Sequence, residues 1–79
     1  MNALNMFKEL GYDCVCVKGE NGHIGKYEFH KSGYGYIDFD IEEHLVKIGM
    51  RYGCNYSVLS ADEVMAINQM CRELRWFHE

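Results

Sequence analysis

The stretch "SGYGYIDFDIEEH" (residues 32–44) alternates without a break: Tyr34, Tyr36, Asp38, Asp40 and Glu42 share one parity, and Ile37, Phe39 and Ile41 the other. Successive side chains of a strand point to opposite faces of a sheet, so the pattern predicts a strand with one apolar face and one aromatic, acidic face. The neighbouring segments extend it. Residues 24–30 carry Tyr27 and Phe29 on one side, and Lys31-Ser32-Gly33 suits a three-residue hairpin loop. Asn21-Gly22 is a two-residue hairpin signal that joins residues 12–18 to that strand. Downstream, a tight turn at Glu42-Glu43 leads into residues 45–52, where Val46, Ile48, Met50 and Tyr52 share a face.

Helical patterns flank the strands. Ala3, Met6, Phe7 and Leu10 recur at helical spacing, with Asn2 placed to cap the start and Gly11 to end the helix, which predicts a helix over 3–10. Ser60-Ala61-Asp62-Glu63 is a capping box, followed by an apolar stripe of Val64, Ile67, Met70, Cys71 and Leu74, which predicts a helix over 61–75. Proline is absent and no Ser/Gly-rich linker appears, so a second domain is not expected. The expectation is one α+β domain over 1–79: two layers, an N-terminal helix, a four-stranded antiparallel meander and a C-terminal helix, with both helices on one sheet face.

Turn geometry also predicts register. A turn centred on Glu42-Glu43 sets Phe39 opposite Val46, Ile37 opposite Ile48, Asp38 opposite Lys47 and Tyr34 opposite Arg51. A loop at 31–33 sets Tyr27 opposite Ile37, Glu28 opposite Tyr36 and Lys26 opposite Asp38, leaving Asp38 between two lysines. The Asn21-Gly22 turn sets Cys16 opposite Tyr27 and Cys14 opposite Phe29, both toward the core. A three-residue loop at 20–22 would instead turn that cysteine face outward. Tyr34, Tyr36, Asp38, Asp40 and Glu42 are therefore expected on the open face as partner-binding residues.

Composition narrows the function. The 79 residues carry a net charge of −4, with eight Lys and Arg scattered along the chain, which disfavours direct nucleic-acid binding through phosphate neutralisation. No apolar run approaches the roughly 20 residues of a membrane span, and the acid-bearing N-terminal segment is unlike a secretory signal. A cytoplasmic protein with reduced thiols is expected. Phosphate-loop, nucleotide and nucleophile motifs are missing from the sequence, so neither an enzyme nor a cofactor is expected. Cys-x-Cys in a strand spaces same-face thiols about 6.6–6.8 Å apart, awkward for one ion. A zinc domain using Cys14, Cys16, Cys54 and a histidine stands as an alternative.

The ends of the chain carry a resemblance. "ALNMFKELGY" and "LSADEVMAINQMCRELRWFHE" resemble small uncharacterised proteins of Gram-positive phages, prophages and mobile elements. Their pattern opens A-L-x-M-F-x-x-L-G-Y and closes with an E-L/V-x-A-I helix and a final E-L-G-W. The matching positions here are Ala3, Leu4, Met6, Phe7, Leu10, Gly11, Tyr12, Glu63, Val64, Ala66, Ile67, Glu73, Leu74 and Trp76, while Arg75 stands where the pattern prefers Gly. The resemblance implies an accessory protein of a mobile element, a class that acts by binding and inhibiting host proteins. The expected function is a small acidic, non-catalytic protein-binding module with a host or bacterial protein as partner. Its specific case is inhibition of a nucleic-acid-handling or antiviral defence protein. A self-associating structural protein, a weak homodimer through an edge strand and Trp76-Phe77, is the second alternative.

Overall fold

The computed structural model describes residues 2–50 and 58–77. The chain runs α1 (Ala3–Glu9), β1 (Asp13–Lys18), β2 (Ile24–Lys31), β3 (Gly35–Asp40), β4 (Leu45–Met50) and α2 (Ala61–Glu73). The strands form one antiparallel sheet in the order β1-β2-β3-β4, with both helices packed on one face. This is the two-layer α+β arrangement expected from the alternation and the capping signals. Arg51, Tyr52 and Cys54 lie outside the described residues.

Both helices start and stop by side-chain and backbone chemistry. The Asn2 side chain accepts from the Asn5 N–H at 2.9 Å, and Ser60 with Glu63 completes the capping box of α2. At the far ends, the amides of Gly11 and Tyr12 return to the carbonyls of Lys8 and Phe7, and those of Arg75 and Trp76 to Arg72 and Cys71. These are Schellman stops, whose first residue beyond the cap must turn left-handed. Gly11 does so at φ 93°, but α2 asks the same of Arg75 at φ 59°. An L side chain is disfavoured there, so Arg75→Gly is expected to raise stability by about 0.5–1 kcal/mol, read as a higher melting temperature.

The core is aromatic. Phe7 of α1 stacks on Phe29 at 4.1 Å between centroids and meets Phe39 and Tyr12 edge-on at 6.0 and 5.6 Å. Ala3 and Ala66, both fully buried, let the helices approach one another, and the Ala3 N–H donates to Glu73 Oε2 at 2.7 Å. Beneath them, two rows of side chains run across the sheet: Cys14–Phe29–Ile37–Ile48 and Cys16–Tyr27–Phe39–Val46. Trp76 closes one end, 6.1 Å from Phe39 and stacked on His44 at 5.0 Å. The indole expected as free apolar surface is thus used within the chain, while Phe77 stays exposed.

Two expectations about burial are corrected. Val64 is exposed, because the inward stripe of α2 is Glu63, Ala66, Ile67, Met70, Cys71 and Leu74. Cys16 faces the helix side yet is exposed, since β1 is an edge strand that the helices only partly cover; Cys14 is half-buried.

Register is met at the two outer hairpins and corrected at the middle one. Cys14 and Cys16 pair with Phe29 and Tyr27 as expected, but by another route. The loop holds three residues, 20–22, closed by the Gly19 N–H on the His23 carbonyl at 2.7 Å, and Gly25 is an extra residue in β2 that restores the parity. In the middle hairpin Lys31 pairs with Gly35, so Tyr27 faces Phe39, Glu28 faces Asp38 and Lys26 faces Asp40. The turn is closed by the Tyr34 N–H on the Lys31 carbonyl at 3.0 Å, with Gly33 at φ 73° as its third residue, where a type II turn requires glycine. The loop therefore falls one residue later than expected. Face parity survives, but the cross-strand partners move by two.

Candidate functional site

Three rows cross the face that the helices leave open: Val17–Lys26–Asp40–Leu45, Val15–Glu28–Asp38–Lys47 and Asp13–His30–Tyr36–Gly49. Of the five residues expected here, Tyr36, Asp38 and Asp40 are in place. Asp40 also has a local task, as its Oδ1 accepts the Glu43 N–H at 3.0 Å and fixes the β3–β4 turn. Glu42 sits in that turn, lining a polar cleft of about 520 Å³ with Lys18, Lys26 and Asn21 at the end of the sheet. Tyr34 is on the other layer altogether. It precedes β3, and its hydroxyl donates to Glu63 Oε1 of α2 at 3.2 Å. A residue in a turn is not bound by strand parity, which is why alternation misplaced it.

The open face is apolar at its margins and charged at its centre. Val15, Tyr36 and Leu45 are 51%, 40% and 48% exposed. The Tyr36 ring lies across Gly49, where a Cβ would collide with ring atoms. Gly49→Ala is therefore expected to lift that ring off the sheet while the fold persists, checked by loss of nuclear Overhauser contacts between the Tyr36 ring and residue 49. At the centre, Asp38 lies between Glu28 and Lys47 rather than between two lysines. Burial and the Glu28 carboxylate push its carboxyl above the usual range, with His30, Lys26 and Lys47 partly offsetting them.

A second polar cluster sits on the helix side and was not anticipated as a site. Glu63 is buried, and its carboxylate accepts from the Tyr12 and Tyr34 hydroxyls and from the Ser60 N–H. Burial alone would raise its pKa, but the Ser60, Tyr12 and Tyr34 hydrogen bonds outweigh it and hold the carboxyl below its ordinary value. Burial and Glu63 push the Tyr12 phenol above its usual range. Lys31 Nζ lies 4.7 Å from the Tyr34 ring centroid, a cation over the ring face. The signal was present: counting back three residues from Ala66 places Glu63 on the inward stripe. Its contacts are internal, so the cluster acts as a structural clamp.

Two of the described thiols carry little chemistry. Burial and the adjacent Cys16 push Cys14 up to about 11, and burial raises Cys71, so both are thiols rather than thiolates at neutral pH.

The fold and its open face define a small two-layer α+β domain, α-β-β-β-β-α, with one sheet surface left uncovered by the helices among the described residues. No family model, curated protein or solved structure matches the chain. Among the described residues no helix is long and apolar enough to cross a membrane.

Proposed function

We infer that the protein is a small non-catalytic binding module that docks a protein partner through the open face of its sheet. The observation that supports this reading is the arrangement of that face, with Val15, Val17, Tyr36 and Leu45 exposed around a charged centre. Tyrosine and aliphatic side chains give contact area at low entropic cost, and charges among them select the partner. The chain's resemblance to mobile-element proteins points to a bacterial host protein as that partner, with inhibition as the consequence of docking.

The test is affinity capture from bacterial lysate with three forms of the chain. The wild type is expected to retain a defined protein that Val15→Lys/Tyr36→Ala loses, while Val64→Lys/Met65→Lys, on the exposed side of α2, retains it. Equal recovery by all three would remove the sheet face from consideration.

A further inference from the structure

We propose that Glu28, His30 and Asp38 form a binding site for one divalent transition-metal cation at the centre of the open sheet face. Glu28 and His30 are two apart on β2, so their side chains share a face, and Asp38 stands directly across from Glu28 on β3. Each offers a donor atom within 4.8 Å of the other two, and His30 Nε2 is already 3.7 Å from Glu28 Oε1. The site shares no residue with the described cysteines, Cys14, Cys16 and Cys71, which lie on the helix side of β1 and on α2.

Two features of the patch are unfavourable unless something fills it. Carboxylates directly opposite one another on neighbouring strands repel. Independently, Asp38 Oδ1 is sealed from solvent with no hydrogen-bond partner, the sole such side-chain atom among the described residues. Buried acceptors in native proteins are nearly always satisfied, and an ion is one of the few things that satisfies one lacking a protein donor. Lys47 and Lys26 border the patch, but among the described residues its ion pair is His30 with Glu28.

The donor set selects the class of ion. One imidazole and two carboxylates suit zinc, cobalt or manganese, whereas calcium and magnesium prefer oxygen alone. Metal–ligand bonds near 2.0–2.2 Å bring donors to about 3–3.5 Å of one another, so donors now up to 4.8 Å apart must close by as much as about 1.3–1.8 Å. The His30 side chain, 55% exposed, is free to turn inward and make that closure. Three protein ligands leave the solvent side of the ion open.

Cobalt(II) is the probe, because its spectrum reports the ligand type. Titrated into the reduced full chain, it is expected to bind one to one with weak visible bands, no thiolate charge-transfer band, and selective broadening of the His30 ring resonances. His30→Ala and Asp38→Asn should each weaken binding at least about tenfold with the fold retained by circular dichroism. Without metal, Asp38→Asn should melt at or above the wild-type temperature, since it removes one of the two opposed charges. A thiolate band, undiminished binding in both variants, or no saturation up to millimolar cobalt would overturn the site. None of these results depends on a protein partner, so the docking face and the metal site fail separately.

Discussion

Phe7→Ala is expected to lose about 3–5 kcal/mol, the usual range for truncating a fully buried aromatic side chain. Phe7 is the centre of the core: it stacks on Phe29, meets Phe39 and Tyr12 edge-on, and is wholly shielded from solvent. Removing the ring leaves a cavity bounded by two helices and the sheet, and the surrounding aromatic rings are too rigid to collapse into it. At roughly 0.05–0.15 kcal/mol per residue, a domain of this size has about 4–12 kcal/mol in all. The substitution therefore takes a large share of the total, and a urea titration should show either a much lower midpoint or no folded baseline.

The second large effect is expected at Glu63. Replacing it with alanine strands the Tyr12 hydroxyl and the Ser60 N–H and removes half of a capping box, for a loss of about 2–4 kcal/mol. Glu63→Gln keeps the shape and should lose less. Acid separates the charge from the shape. The folded-state pKa of Glu63 lies below its ordinary value of 4.5, so its contribution is fully present above that value. As the pH falls below 4.5 the unfolded chain takes up the proton first, and the contribution disappears as the pH passes through the folded value. The wild type should therefore lose stability on acidification more steeply than Glu63→Gln, measured as urea midpoints between neutral and acid pH. Equal slopes would mean that the carboxylate acts by shape alone.

Glu63 and Tyr34 also mark where the sequence could and could not be read. Strand parity was legible because one face had to be apolar: Ile37, Phe39, Phe29 and Tyr27 fall on the helix side as alternation requires. Helix starts were legible because capping chemistry is local. The position of the Lys31–Tyr34 turn was not, because either of two neighbouring loops keeps the apolar residues on one side, and only long-range contacts choose between them. In the loop that forms, Tyr34 leaves the strand and its hydroxyl reaches Glu63 of α2. That single step brings Glu28 against Asp38, so the central triad of the open face is invisible to a reading that places the loop one residue earlier. Glu63 was hidden differently. Its role in the capping box already accounts for a glutamate there, so the helical spacing that also turns this carboxylate toward the core is easily passed over.

The β1–β2 hairpin carries a further lesson about how this chain can change. Its longer loop and the supernumerary Gly25 cancel, so the edge strand keeps its cysteines on the helix-facing side of the sheet. Deleting Gly25 alone would reverse that strand, burying Val15 and Val17 and pushing Cys14 out. In descendants of this gene, length changes in the hairpin should come as matched pairs, one at the tip and one in the shaft, because an unmatched change turns a whole edge inside out.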